Sequence, residues 1–205
     1  NRLMTGGLDQ RWRRLAAVMS RANGARALDL ATGTGDLAIE LARVGARQVV
    51  GADFASRMLL GAQPKVGADI PLVLGDAQHL PFQAATFDRV TNAFLLRNLS
   101  DLDLGLREMR RVLTPGGLLV SLEITRPSNR LFARLFGVYF YHLVPVLGGV
   151  IARERAAYRY LPNSLTTFPR AAELAERMRT AGFATVSYQL AGFGTVAIHV
   201  ARVAA

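Results

Sequence analysis

Residues 27–36 read ALDLATGTGD, and this stretch decides how the rest of the chain is interpreted. A short apolar run leads into Gly33 and Gly35, after which apolar residues recur at helical spacing. Glycines in a strand-to-helix turn let a ligand approach the backbone, and the start of the helix offers unpaired N–H groups. The spacing also fits the loose dinucleotide fingerprint, although tight turns use glycine for structural reasons too. The stretch therefore predicts a strand, a candidate binding loop and a helix.

Apolar runs and amphipathic stretches continue to alternate on both sides of this loop. A helix is predicted over 8–22, and further strands over 48–53, 71–76, 86–94 and 118–123, with helices between them. A helix over 169–181 and an antiparallel hairpin of strands 184–190 and 195–202 complete the chain. This order predicts an α/β fold whose mostly parallel sheet is covered by helices on both faces.

The alternation stops between about residues 125 and 168, where no convincing strand is found. We interpret this stretch as a helical insertion that forms a lid in a single domain spanning residues 1–205. Phe132, Phe136 and Phe140 repeat every four residues, and Arg126, Arg130 and Arg134 do the same on a neighbouring face. Such stripes suit a membrane interface. The alternative is a lid helix that packs on the domain and leaves the arginines in solvent.

Three aspartates follow the predicted strands at regular intervals. Asp29, Asp53 and Asp76 are 24 and 23 residues apart, and each lies at or near the carboxyl end of a strand. Ligands bind at this edge of an open α/β sheet. Asp53 can accept hydrogen bonds from vicinal ribose hydroxyls, Asp76 from an adenine amine, and Asp29 can hold an ammonium group or a water. Each aspartate could instead cap the following helix, but three in register favour a cationic nucleoside ligand.

Composition narrows the class of protein without choosing a partner. The chain has 205 residues, 51% of them hydrophobic, and a net charge of +10, which favours an anionic partner or surface. All but one of its 25 Lys and Arg residues are arginine, and coding bias is the competing explanation for that preference. Cysteine is absent, so disulfides, thiolate zinc sites and cysteine nucleophiles are excluded, and no metal site is predicted. No nucleic-acid partner is expected, because no basic-aromatic RNA module is present. The uncharged run at residues 136–152, which contains His142, Pro145 and two glycines, is too short to span a bilayer.

Several motifs resemble class I S-adenosylmethionine-dependent methyltransferases, and one branch in particular. The glycine loop, the acid after strand two, GDA at 75–77 and LTPGG at 113–117 are typical of that superfamily. FLLRN at 94–98 and YRYLPNSLTTFP at 158–169 are similar to the UbiE/MenG quinone C-methyltransferases, and the resemblance covers essentially the whole chain. Leu95 stands where the family usually has glycine, and Asp9-Gln10 where it has His-Arg.

The resemblance implies a Rossmann-like seven-stranded methyltransferase sheet and S-adenosyl-L-methionine as cofactor. It places Gly33, Thr34 and Gly35 around the methionine part of the cofactor, Asp53 at the ribose, Asp76 and Ala77 beside the adenine, and Ala93 near the sulfonium. The implied reaction methylates a ring carbon of a polyprenylated quinol in menaquinone or ubiquinone biosynthesis. We expect a cytoplasmic enzyme with peripheral contact to the inner face of the membrane, a homo-oligomer being one option.

Four residues are candidates for the chemical step. Arg97 suits stabilisation of an oxyanion or orientation of a water, and Asn98 suits a hydrogen bond to a quinol oxygen. Since arginine stays protonated, His142 is the better titratable candidate and Tyr160 the alternative. The competing interpretations are a surface cation for Arg97 and plain packing for the other two. Alternative functions are methylation of another small aromatic or of RNA, and an NAD-type oxidoreductase.

Overall fold

The computed structural model describes residues 7–126 and 168–205, and within them helices and strands alternate as predicted. The helices are α1 (Leu8–Met19), α2 (Asp36–Arg43), α3 (Ser56–Val66), α4 (Leu102–Val112) and α5 (Ala171–Thr180). The strands are β1 (Arg26–Leu30), β2 (Gln48–Asp53), β3 (Leu72–Leu74), β4 (Phe87–Ala93), β5 (Leu113–Ile124), β6 (Thr185–Ala191) and β7 (Val196–Arg202). Short 3₁₀ turns lie at Leu96–Asn98 and Gly192–Gly194.

The seven strands form one sheet in the order β3-β2-β1-β4-β5-β7-β6. The first five are parallel, whereas β7 runs antiparallel to both β5 and β6. The predicted fold class, a mostly parallel α/β sheet with a C-terminal antiparallel hairpin, is confirmed. Strand order reverses direction between β1 and β4, so a crevice opens beyond the carboxyl ends of these two strands.

Helices cover both faces of the sheet, which explains why the parallel strands are apolar almost throughout. On one face, α4 and α5 bury Leu106, Met109 and Met178 against the strands. On the other face, α1 and α2 bury a second cluster that includes Leu37 and Leu41. The strands between these two layers hold the loops at their carboxyl ends on a rigid base.

Two boundaries differ from the sequence prediction. The turn predicted at 114–117 lies inside β5, where it shifts the register: Phe87 pairs with Leu113, but Arg89 already pairs with Leu118. The helix predicted to follow β4 directly begins only at Leu102, because Asp101 caps it through a 2.9 Å bond from the Leu104 amide to Oδ1. The chain between β4 and α4 is therefore free to form a loop at the crevice.

The predicted helical insertion falls on residues that lie outside the described ones. Its two flanks meet, since Arg126 Nη2 donates a 3.2 Å hydrogen bond to the carbonyl of Phe168. The chain thus leaves and re-enters the described domain at one place, just beyond β5. Across residues 7–126 and 168–205, no helix combines the length and apolar character needed to cross a membrane.

Candidate active site

The glycine loop between β1 and α2 turns sharply, and its backbone needs glycine. Gly33 and Gly35 have φ of 57° and 81°, and Ala31 before them also lies in the left-handed region at 52°. A Cβ placed on Gly35 would collide with the Val66 side chain of α3. The loop is fixed at its start by a 3.0 Å bond from the Thr32 amide to the Ala52 carbonyl on β2. A ligand can therefore approach the backbone of this loop without meeting side chains.

Asp53 ties the glycine loop to the end of β2. Its Oδ2 accepts a 2.8 Å hydrogen bond from the Gly33 amide, and its Oδ1 accepts a 2.9 Å bond from the Ala55 amide. Each carboxylate oxygen has a further lone pair, so the side chain can still accept bonds from a ligand. The Ala55 amide lies just before α3, so Asp53 caps no amide within that helix. Asp29 does accept a hydrogen bond from the Ala38 amide in the first turn of α2, as the capping alternative expects.

Asp29 lies beneath the loop, where hydrogen bonds from neighbouring protein groups hold its side chain in place. Its side chain accepts hydrogen bonds from the hydroxyls of Thr32 at 2.8 Å and Thr91 at 3.0 Å, and the residue is 1% exposed. Burial raises the pKa of Asp29 to about 6, although both hydroxyls and the nearby Arg13 oppose the shift. Direct contact of Asp29 with an ammonium group stays a prediction.

The third aspartate follows β3 at the same edge of the sheet. The Gly75 amide donates to the Asp53 carbonyl at 3.0 Å, which places the next residue, Asp76, beside the end of β2. Asp76 Oδ1 accepts a 2.9 Å bond from the Gln78 amide, and Ala77 is buried. Phe54, directly after Asp53, is 78% exposed, and sequence reasoning missed it. The three predicted aspartates thus lie at the ends of three adjacent strands.

Thr34 lies at the tip of the loop and is exposed. Its hydroxyl donates to Asp36 Oδ2 at 3.1 Å, while Lys65 Nζ is 2.6 Å from Asp36 Oδ1. Lys65 therefore compensates the charge of Asp36, the acid next to the loop. The backbone of the loop and the carboxylate of Asp53 are then the polar groups that a ligand can reach.

The loop after β4 carries the predicted residues Ala93, Arg97 and Asn98. Ala93 is buried, and Phe94 turns the chain with a φ of 62°, unusual for a residue with a side chain. Asn98 Nδ2 donates to the Phe94 carbonyl at 3.1 Å, which closes the turn through the side-chain nitrogen and does not use the side-chain oxygen. Leu95 is buried in the core.

Arg97 is paired with an acid that sequence reasoning missed. Its Nη1 lies 3.1 Å from Oε2 of Glu123 on β5, and the two side chains are 6% and 1% exposed. The other Glu123 oxygen accepts a 2.6 Å bond from the Leu96 amide. Burial raises the pKa of Glu123, although the Arg97 charge opposes this. The alternative that Arg97 is a surface cation is therefore wrong. The signal for Glu123 was a single acid within the apolar run LLVSLEI.

A second arginine missed by sequence reasoning approaches the same loop from α1. The guanidinium carbon of Arg13 is 5.3 Å from the centre of the Phe94 ring, and that of Arg97 is 5.5 Å from it. Phe94 thus contacts two buried cations at the crevice. The candidate residues His142 and Tyr160 lie outside the described part of the chain. Among the described residues, no three metal-ligating side chains come together.

The sheet order, the glycine loop at the switch point and the aspartates beyond it define a Rossmann-like S-adenosylmethionine-dependent methyltransferase. Comparison with known families narrows this class. Residues 1–202 match the ubiE/COQ5 methyltransferase family, and the chain belongs to that family. The family assignment excludes the alternative of an NAD-type oxidoreductase.

Individual relatives agree with this assignment. A demethylmenaquinone methyltransferase of Deinococcus radiodurans is 46% identical, over 95% of this chain and 82% of its own length. A ubiquinone/menaquinone biosynthesis C-methyltransferase UbiE of Geobacter sulfurreducens is 41% identical, over 97% of this chain and 80% of its own. The crystal structure of a putative methyltransferase from Bacillus halodurans shares the fold, with a TM-score of 0.69 at 17% identity over 94% of this chain and 99% of that one.

Proposed function

We propose that this enzyme transfers a methyl group from S-adenosylmethionine to a ring carbon of demethylmenaquinol. The names of the two relatives support a quinone-pathway acceptor. The observation that carries the proposal is the buried Arg97, held at the sheet edge where the glycine loop lies. A fixed guanidinium in a water-poor crevice stabilises an oxyanion such as a quinol phenolate. The related benzoquinol of ubiquinone synthesis is the alternative acceptor.

The described residues fit the cofactor. Asp53 would accept hydrogen bonds from the ribose hydroxyls, while Asp76 and Ala77 would flank the adenine beside the exposed ring of Phe54. The backbone of Gly33, Thr34 and Gly35 would surround the methionine part, and Ala93 would lie near the sulfonium. Asp29 would act by holding the loop in shape through Thr32. Buried side-chain donors without a partner, in Arg13 and Arg97, suit a ligand that carries acceptors.

The cofactor supplies an activated methyl group on a sulfonium. A carbon–carbon bond forms as the sulfur–methyl bond breaks, and the quinol ring afterwards loses the proton of the attacked carbon. Arg97 would stabilise the phenolate with the N–H groups that Glu123 does not use, and the side-chain oxygen of Asn98 would accept a bond from the second quinol hydroxyl. Since Arg97 remains protonated, a different group must take the phenolic proton, and His142 and Tyr160 are the candidates.

A prenylated substrate resides in a membrane, so the enzyme must reach its surface. We assign this contact to the stretch at residues 128–160, which is rich in aromatic residues and arginine and follows β5 in the sequence. Aromatic and cationic side chains together favour the lipid headgroup region. The enzyme would then act as a peripheral protein on the cytoplasmic face.

The test is a methylation assay with methyl-labelled S-adenosylmethionine and a short-chain demethylmenaquinol, followed by mass spectrometry. We expect one labelled methyl group on the quinol ring. Arg97→Met should lower kcat about a hundredfold, as loss of an oxyanion donor does, with little change in cofactor affinity. Arg107→Met, on the exposed side of α4, is the control. Absence of ring methylation by the unaltered enzyme, or full activity of Arg97→Met, would contradict the proposal.

A further inference from the structure

Buried donors without acceptors gather on one side of the glycine loop. Gln10 Nε2 and Arg13 Nε on α1, and Arg97 Nε beyond β4, are buried and have no hydrogen-bond partner. Gln10 and Arg13 are three residues apart and lie on one face of the helix. Buried polar groups are almost always satisfied, so an excess of donors indicates a ligand that brings acceptors.

Arg13 lies between the glycine loop and Phe94. Its guanidinium packs on the Phe94 ring. Its charge opposes the burial that raises the pKa of Asp29, and it adds to the effect of Lys65, which lowers the pKa of Asp36. The ion pair of Arg13 with Asp9 is long, at 3.8 Å between Nε and Oδ2. That distance exceeds a hydrogen bond. The face of the guanidinium is covered by Phe94, while Nε at its edge has no hydrogen-bond partner.

The other cations of the described site are already engaged by carboxylates. Arg97 donates to Glu123 at 3.1 Å, and Lys65 lies 2.6 Å from Asp36. Arg13 is therefore the buried cation beside the loop, within the described residues, with the weakest carboxylate contact. The methionine part of the proposed cofactor carries one negative group, its carboxylate, at a sheet edge lined with aspartates. That carboxylate needs a cation to offset their repulsion.

We propose that Arg13, assisted by Gln10, binds the carboxylate of the methionine part of S-adenosylmethionine. This inference rests on the proposed cofactor site and adds a residue from α1 to it. A guanidinium presents paired N–H donors that match a carboxylate. Packing on Phe94 fixes the plane of that fork. The same Phe94 ring also packs on Arg97. One ring therefore contacts both the arginine proposed to bind the cofactor carboxylate and the arginine proposed to bind the quinol.

The experiment compares two ligands that differ only in this carboxylate. Titration calorimetry measures the affinity for S-adenosylmethionine and for decarboxylated S-adenosylmethionine. The unaltered enzyme should prefer the former. Arg13→Met should weaken S-adenosylmethionine binding about tenfold to a hundredfold, as expected for loss of a hydrogen-bonded charge. It should leave the decarboxylated ligand within about twofold, so the preference disappears.

Three variants keep the test decisive. Arg14→Met is the control, because the Arg14 side chain is 69% exposed and pairs with Glu40. Arg13→Lys preserves the charge and should restore part of the preference, and Gln10→Leu should reduce it less than Arg13→Met does. Equal weakening of both ligands by Arg13→Met and Arg13→Lys would show a purely structural role and overturn the inference. An unaltered enzyme that binds neither ligand would instead overturn the proposed cofactor site itself.

Discussion

The carboxylate of Glu123, near the end of β5, holds the guanidinium of Arg97, which lies in the 3₁₀ turn after β4. Oε2 and Nη1 are 3.1 Å apart, and the second oxygen of Glu123 accepts the Leu96 amide at 2.6 Å. Two bonds from one acid therefore fix both the side chain and the backbone of the turn. Desolvation of such a pair is costly, so its presence at the crevice is better explained by positioning than by stability.

Glu123→Gln should lower activity through Arg97 while leaving cofactor affinity nearly unchanged. The amide keeps an acceptor for the Leu96 N–H but removes the charge that orients the guanidinium. Because one buried charge then lacks its partner, we also expect a loss of unfolding free energy of about 3 kcal/mol. Urea unfolding, kcat and calorimetric titration with S-adenosylmethionine measure the three effects.

The control for this variant is Glu176→Gln, which breaks an exposed pair with Arg179 on α5. Exposed pairs contribute at most about 1 kcal/mol, so both stability and activity should hardly change. If Glu123→Gln were as stable and as active as Glu176→Gln, the positioning role of Glu123 would be wrong.

The pH dependence of stability should reveal the buried carboxyl of Asp29. Burial raises the pKa of this carboxyl from its ordinary value of 3.8 to about 6 in the folded protein. The stability gained by keeping this group neutral is fully present below about pH 4 and is lost as the pH rises through 6. The loss amounts to about 3 kcal/mol. Asp29→Asn has no carboxyl to ionise and should not show this loss. The free energy of unfolding of the variant should therefore rise relative to that of the unaltered enzyme between pH 4 and 7.

Urea unfolding at several pH values in this range makes that comparison. Asp69→Asn, at an exposed position after α3, is the control for removal of one carboxylate. If the difference between Asp29→Asn and the unaltered enzyme did not vary with pH, the proposed effect of burial on Asp29 would be wrong.

The sequence predicted those features that depend on local pattern. Alternation of apolar runs indicated the strands, and the spacing of Asp29, Asp53 and Asp76 indicated one edge of the sheet. The roles of Glu123 and Arg13 were not predicted, because they depend on contacts between residues far apart in the sequence. Glu123 contacts Arg97 from 26 residues away in sequence, and Arg13 on α1 contacts Phe94, which follows β4.

The burial of Asp29 was not predicted either, for a related reason. The position of Asp29 at the end of β1 was evident, but its burial depends on Thr91 of β4, the neighbouring strand. Likewise, the turn at 114–117 was visible as a Pro-Gly-Gly motif, whereas its incorporation in β5 depends on pairing with β4. Parallel strands that pair are separated in sequence by a connecting helix, so a local sequence pattern does not predict which strands pair.

Gly35→Ala should distort the loop and weaken cofactor binding. The backbone of Gly35 has a φ of 81°, which costs any other residue about 1 kcal/mol or more, and the new methyl group would meet Val66. Val66→Ala removes that second obstacle. The double variant should therefore melt closer to the unaltered enzyme than the sum of the single changes predicts. Strict additivity of the melting temperatures would show that Val66 does not restrict the loop.

Asp53→Ala should abolish measurable binding of S-adenosylmethionine, because this carboxylate has two tasks. It accepts the Gly33 amide at 2.8 Å, which holds the loop, and it has free lone pairs for the ribose hydroxyls. Asp69→Ala, an exposed aspartate outside the site, should bind the cofactor normally. Unchanged affinity after Asp53→Ala would refute the assignment of the cofactor site.

The two tasks of Asp53 can be separated with smaller ligands. Adenosine and 2′,3′-dideoxyadenosine share the adenine but differ in the hydroxyls, and neither contains the methionine part that we propose the loop surrounds. If Asp53 binds the ribose, the unaltered enzyme prefers adenosine in a ligand-observed NMR titration, and Asp53→Asn reduces that preference. If Asp53 acts only on the loop, both nucleosides bind alike before and after the substitution, since the hydroxyls then have no acceptor to lose.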